Sequence, residues 1–405
     1  MEIVFLRHGE STGNASGVIQ GRGSSPLSEL GRSQAEAAGR RLADDRFDVV
    51  VSSDMERAVE TAQALGVAFE QDAAWREMDL GAWDGVPLDE LAMRFPDDFA
   101  ALRKGDPIKI GGTGESFPEF TERIERAISA LVSRNADRVL VSTHGGVIER
   151  AVSIAIGLPA SVSFAGRVSN TSLTTVSVDS ARMRLDAYND TGHLGPMAGW
   201  AADRLEAGDS VIALIRHGRT AANDTGVWQG HTDNGLDDEG RRQVRRLADW
   251  HGGFDTLYAS TLGRSIETAA MLRVDGSPVS IPELKELGMG AWEGHTVDEI
   301  KAGWPDLWED IYERGVDERR GGHGETWSGM VERVSNALAG IAREHPGRLV
   351  GAVSHGAAIR GFCSSLMGLD HAHRRGLRGP DNASISHVVF GRGGPVLADY
   401  NIGPL

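Results

Sequence analysis

Almost every distinctive segment of this 405-residue chain occurs twice. Residues 3–9 (IVFLRHG) return as residues 212–218 (IALIRHG), Asn14 as Asn223, and Gln20-Gly21 as Gln229-Gly230. Gly31-Arg32 matches Gly240-Arg241, and the run from Ser53 through Arg57 to Ala62 matches Ser260 through Arg264 to Ala269. Glu77 before Gly81-Ala82-Trp83 matches Glu286 before Gly290-Ala291-Trp292, and Thr143-His144-Gly145 matches Ser354-His355-Gly356. The offset stays between 207 and 212 residues from end to end. A unit that long is domain-sized and too large for a solenoid repeat. The chain is therefore read as two domains, residues 1–198 and 210–405, with a linker at 199–209.

Local patterning gives each copy the same plan. Residues 2–6 and 211–215 are short apolar runs suited to buried strands, and each runs into Arg-His-Gly. Residues 27–44 and 236–250 carry small and apolar residues at helical spacing. Ser116 and Glu119 form a capping box at the start of a helix over 117–133, with a counterpart at 327–343. Strands are expected at 48–51, 139–142 and 171–178, and at 256–259, 349–353 and 384–390. Strands alternating with helices predict two tandem three-layer α/β/α domains, each a mostly parallel sheet flanked by helices. Ligands of such sheets bind beyond the carboxyl ends of the strands, where the repeated charged residues fall.

Composition narrows the function classes. The net charge is −16, and both halves share it: 20 Lys+Arg against 29 Asp+Glu in residues 1–200, 22 against 29 in the remainder. Neither half is a basic arm, so nucleic acid and anionic membrane are not expected partners. The single cysteine, Cys363, cannot form an internal disulfide. No secretory signal pattern opens the chain, and no run of about 18 apolar residues predicts a membrane span. A cytoplasmic protein is expected. His371 and His373 near Cys363 lack a fourth ligand in sequence, so no metal is expected, and no cofactor. The basic stretch 373–378 (HRRGLR) reads as a solvated loop rather than a nucleic-acid patch, and a contact to an anionic substrate stays open.

At the strand ends of the first copy stand Arg7, His8, Arg57, Glu77 and His144. Two guanidinium groups and two imidazoles offer charge and donors to a phosphoryl group. Alternatively one imidazole, if neutral, can attack phosphorus and form a covalent intermediate. A carboxyl group is then needed to protonate the departing alkoxide and afterwards to activate water. The set suits phosphoryl transfer without a metal.

These motifs resemble those of the histidine phosphatase superfamily, in its phosphoglycerate-mutase-like branch. The first copy carries R-H-G-E-S-T-G-N (7–14), S-D-M-E-R-A-V-E-T-A (53–62), E-M-D-L-G-A-W-D-G (77–85), G-E-S (114–116) and T-H-G (143–145). The second carries R-H-G-R-T-A-A-N, S-T-L-G-R-S-I-E-T-A, E-L-G-M-G-A-W-E-G, G-E-T and S-H-G in the same order. The resemblance implies that His8 is a phosphohistidine nucleophile, that Arg7, Arg57 and His144 bind phosphoryl oxygens, and that Glu77 is the proton donor. In the second copy these roles pass to His217, Arg216, Arg264, His355 and Glu286. Asn14, Gln20, Asn223 and Gln229 fall on the loops after the nucleophiles and are candidate substrate contacts. The implied substrate is a small-molecule phosphate ester.

Three readings stay open: a phosphatase with two active sites, a phosphoglycerate-mutase-type phosphotransferase, and a chain in which one copy only binds or regulates. A mutase must shield its phosphoenzyme from water, and mutases of this family carry a long insertion after the acid. Here 38 residues take Glu77 to Glu115 and 39 take Glu286 to Glu325, which favours hydrolysis. Both copies keep all five residues, so neither shows decay. The copies differ after Arg-His-Gly, where Glu10 is replaced by Arg219, an added cation expected near the second pocket. Glu115 and Glu325 are balanced between a structural and a catalytic role.

Overall fold

The computed structural model describes residues 1–160, 166–179 and 182–404. The chain divides into two compact units, Met1–Leu185 and Asp186–Leu405. The expected linker segment contains a helix, Trp200–Glu206, whose Ala201 is buried with Val211, Val389 and Ala398 of the second unit.

The first sheet has strands β1 (Glu2–Arg7), β2 (Val49–Ser52), β3 (Glu70–Gln71), β4 (Arg138–Thr143), β5 (Leu173–Val178) and β6 (Met183–Asp190), in the order β3-β2-β4-β1-β5-β6. β1, β2, β3 and β4 pair in parallel, and β5 joins β1 antiparallel. Ile3 through Leu6 are at most 3% exposed, as a central strand covered on both faces requires. The second sheet repeats the plan with β7 (Ser210–Arg216), β8 (Thr256–Ser260), β9 (Val279–Ile281), β10 (Leu349–Ser354), β11 (Ile385–Gly391) and β12 (Gly394–Leu397). Its order is β12-β11-β7-β10-β8-β9, parallel except for β11 and β12. Both sheets are therefore mixed at one end and parallel elsewhere.

Helices flank each sheet, and their starts are chemically specified. Ser28 caps the helix Glu29–Arg41 by accepting from Gly31 N, and Asp237 caps Asp238–His251 by accepting from Gly240 N. Both glycines are steric necessities. A Cβ on Gly31 would lie 1.9 Å from the Glu10 carbonyl oxygen, and one on Gly240 would lie 2.1 Å from that of Arg219. The helix thereby packs directly on the loop that follows each Arg-His-Gly. The Ser116/Glu119 capping box starts Phe117–Val132. Trp83 and Trp292 are core aromatics, 7% and 0% exposed.

Two expectations need revision. Arg374, inside the stretch read as a solvated loop, is 4% exposed. It lies over the Tyr312 ring and donates to the Ile311 carbonyl, because a planar guanidinium can stack and hydrogen-bond at once. Arg219 adds no unpaired cation to a pocket. Its Nε donates to Asp237 at 2.9 Å and its Nη1 to Asp224 at 3.0 Å. His371 accepts from Arg320 Nη2 at 2.8 Å, an arrangement that holds a buried arginine in place. No helix among the described residues is long and apolar enough to cross a membrane.

Candidate active site

The carboxyl end of β1 delivers Arg7 and His8, and that of β4 delivers His144. Because β1 and β4 are neighbours in register, Arg7 opposite Thr143, the two imidazole centroids lie 5.2 Å apart. In the second unit β7 and β10 bring His217 and His355 to 5.1 Å. The helices Glu56–Gln63 and Gly263–Met271 supply Arg57 and Arg264, each 1% exposed.

The nucleophile candidates have a defined tautomer. His8 Nδ1 is 2.7 Å from the Gly9 carbonyl oxygen, and His217 Nδ1 is 2.8 Å from that of Gly218. A carbonyl oxygen only accepts, so Nδ1 carries the hydrogen and Nε2 keeps its lone pair. In the first unit Arg57 Nε donates to that Nε2 at 3.2 Å. Burial holds His8 well below the ordinary histidine range, and the charges of Arg57 and Arg7 lower it further. His217 is lowered by burial and by Arg216 and Arg264. Both rings are thus neutral, as attack on phosphorus requires.

The arginines are tethered by backbone carbonyls. Arg57 Nη2 donates to Gly21 and Nη1 to Gly23, at 2.9 and 3.0 Å; Arg264 makes the same bonds to Gly230 and Thr232, both 2.8 Å. Arg7 Nη1 donates to the Val168 carbonyl, and Arg216 Nη1 to that of Pro380 at 2.6 Å. His144 Nε2 lies 2.8 Å from Ser53 Oγ, and His355 Nε2 lies 2.8 Å from Ser260 Oγ. The copies then diverge. Arg264 Nε donates to His355 Nδ1 at 3.2 Å, whereas His144 Nδ1 is buried with no partner among the described residues.

Each carboxyl candidate sits at a helix start, where backbone N–H groups are unpaired. Glu77 accepts from Met78 N at 2.8 Å and from Gly146 N at 3.0 Å, in the helix Gly145–Ala155. Glu286 accepts from Leu287 N, Ala357 N and Ala358 N at 2.8, 3.1 and 3.1 Å, the last two in Gly356–Leu366.

One cavity of ≈ 220 Å³ in the first unit is lined by Arg7, His8, Asn14, Gln20, Arg57 and Glu77 together. His144 does not line it; it backs His8 with no exposure of its own. Asn14 Oδ1 accepts from Ser11 N within a capping box, and Gln20 Oε1 accepts from Ser11 Oγ at 2.6 Å; Asn223, Gln229 and Thr220 repeat this unit. Glu115 and Glu325 are off the cavity. Each is held by an arginine, Arg123 or Arg333, that also grips the carbonyl of Glu77 or Glu286.

Several contributors carried no chemical motif. Asn170 donates to the His8 carbonyl and to Asn14 Oδ1, and Asn382 to the His217 carbonyl and Asn223 Oδ1. Thr61 and Thr268 accept from the N–H groups of Gly9 and Gly218. Their recurrence in both copies is the signal that could have found them. Glu149 and Arg167 also line the first cavity and have no repeat to announce them.

Known proteins match the chain over about half its length. The chain is 34% identical over 201 residues to the metal-independent phosphoserine phosphatase of Arabidopsis thaliana, covering 48% of this chain and 83% of that protein. It is 31% identical over 202 residues to phosphoglycerate mutase-like protein 4 of the same plant, covering 48% and 86%. The α-ribazole phosphatase structure from Shigella flexneri is 27% identical and covers 46% of this chain and 94% of its own, with a TM-score of 0.42. The model of the histidine phosphatase superfamily, branch 1, matches residues 3–191 and again residues 212–403. The chain therefore belongs to the histidine phosphatase superfamily, whose domain it carries twice in tandem.

Proposed function

We propose that this protein hydrolyses small phosphomonoesters through phosphohistidine intermediates on His8 and His217, at two active sites per chain. The observation that carries the reading is the shared tautomer. In both units a backbone carbonyl takes the Nδ1 hydrogen and leaves Nε2 as the attacking atom.

The steps follow from the geometry. The ester's phosphoryl group meets Arg7 and Arg57, with Asn14 and Gln20 on the cavity wall. His144, off the cavity wall, packs behind the His8 ring, and its Nε2 stands 2.8 Å from Ser53 Oγ. His8 Nε2 forms a bond to phosphorus as the bond from phosphorus to the ester oxygen breaks. Glu77 gives its proton to the departing alkoxide. A water molecule then gives a proton back to Glu77 and attacks phosphorus, releasing inorganic phosphate and the neutral imidazole. Arg57 Nε, which donates to His8 Nε2, turns to the phosphoryl oxygens as the group arrives.

Hydrolysis is favoured over mutase chemistry by thin cover. Leu88, on the wall of the first cavity, is 55% exposed, and only 38 residues take Glu77 to Glu115. The relative described as a phosphoserine phosphatase makes phosphorylated amino acids a natural first panel. The test replaces His8 and His217 by alanine, singly and together, and assays p-nitrophenyl phosphate. Each single variant is expected to retain one site's activity and the double variant none. Full activity in the double variant overturns the mechanism.

A further inference from the structure

The copies carry opposite charges at one position of the pocket helix. Counting on from His144 after β4 and from His355 after β10, the fifth residue is Glu149 in the first copy and Arg360 in the second. In the helix Gly145–Ala155, Gly145 and Glu149 are four residues apart and share a face. Gly145 and Gly146 border Arg7, His8 and Glu77 in the cavity wall, and Glu149 joins the wall one turn further out, about 5.4 Å along the axis. With the phosphoryl group on Arg7, Arg57 and His8, this position on the wall suits a contact to the alcohol portion of the ester.

Its carboxyl group is partly buried and has no hydrogen bond or ion pair among the described residues. A half-buried carboxyl group on a cavity wall is thus left available to a ligand. Arg167 lines the same cavity, yet no ion pair joins it to Glu149 among the described residues. Arg360, in contrast, is engaged within its own unit: it donates to the Arg374 carbonyl at 2.8 Å and lies over the Trp327 ring. The second site has no acid at this position.

Resting on the hydrolase reading above, we infer that Glu149 is a specificity determinant of the first site, pairing with a protonated amine on the alcohol portion of the phosphomonoester. A bound ammonium gives the carboxylate an ion-pair partner, and it does so without touching the reacting phosphorus. The second site, with Arg360, lacks this selection.

The experiment compares kcat/KM for phosphoethanolamine with that for 2-hydroxyethyl phosphate, which replaces the ammonium by a neutral hydroxyl. It uses full-length chains with one site silenced, His217→Ala to read the first site and His8→Ala to read the second. The first site is expected to favour the amine about tenfold, Glu149→Gln to bring the ratio near one, and Glu149→Asp to keep most of it. The second site's ratio should stay near one. An unchanged ratio in Glu149→Gln, or an equal amine preference at both sites, overturns the inference while leaving the hydrolase reading in place. Absence of turnover of either ester and of p-nitrophenyl phosphate overturns both.

A measurement on the first site without altering Glu149 guards against a misfolded variant. Burial and then the charge of Glu77 push the Glu149 carboxyl up to about 7, against the lowering influence of Arg7, Arg167 and Arg150. The amine preference should therefore rise severalfold from pH 6 to pH 8 as Glu149 ionises. A ratio flat across that interval counts against the pairing.

Discussion

Arg123 and Glu115 meet through two hydrogen bonds, Nε to Oε1 and Nη2 to Oε2, both 2.8 Å. The same guanidinium donates to the carbonyls of Ala74, Arg76 and Glu77. Glu115 meanwhile accepts from Asp79 N at 2.9 Å. The pair clamps the loop on both sides of Glu77, and Arg333 with Glu325 does the same around Glu286. Its place beside the proposed acid, outside the cavity, suits a positioning role.

Arg123→Lys keeps the charge and loses the fork that spans carboxylate and carbonyls. In a His217→Ala chain it is expected to lower kcat by roughly tenfold to a hundredfold with a smaller change in KM, because misplacing a catalytic group by about 1 Å costs on that scale. Steady-state kinetics on p-nitrophenyl phosphate check this. A change confined to KM would make Arg123 a substrate contact instead.

Gly31 has no room for a side chain, since its Cβ would stand 1.9 Å from the Glu10 carbonyl oxygen. Gly31→Ala must push the capped helix off the loop after His8. A loss of about 1–3 kcal/mol or more is expected, the range of an overpacked core. Gly240→Ala should do the same in the second unit. Thermal melts that match wild type would show that the backbone yields cheaply here.

The four histidines of the two sites are all depressed by burial first; His8 and His217 are lowered further by the arginines, and His144 and His355 by the paired histidine and then the arginines. The unfolded chain takes up these protons near pH 6.5 while the folded chain does not. Their contribution to stability is therefore intact above about pH 6.5 and is lost as pH falls below it, by up to ~1.4 kcal/mol per unit for each group. Tm should drop from pH 6.5 to 5, and His144→Gln should drop less steeply. Parallel curves for the two proteins would sink the assignment.

Glu149 has the opposite linkage. Its folded value is raised to about 7, so its contribution is fully present below about pH 4.5 and is lost as pH rises to 7. Glu149→Gln is expected to melt progressively higher than wild type as pH climbs through that window, with a constant gap above it. Differential scanning calorimetry at a series of pH values reads the gap directly.

Much of this molecule was legible in one dimension. Strand ends, helix caps and the paired Arg, His and Glu residues recur at a nearly constant offset, so the repeat itself separated the chemical residues from the background. The glycines at 31 and 240 were visible as matched positions; the reason for them, a helix resting on a carbonyl, was not. Arg374 was misread because a basic run looks solvated until the rings of Tyr312 and Trp327 are known to lie beneath it.

The sequence by itself determined the tandem plan, the order of strands and helices, and the set of groups proposed for phosphoryl transfer. These are local or periodic properties, readable because they repeat. Only the tertiary structure decided which nitrogen of His8 and His217 carries the hydrogen, that Glu115 lies off the cavity against Arg123, and that Glu149 lines the cavity without an ion pair among the described residues. Those outcomes depend on contacts between residues far apart in the chain, such as Arg123 with the Glu77 carbonyl and Asn170 with that of His8. No single segment encodes such contacts, because each needs two surfaces brought together by the folded sheet.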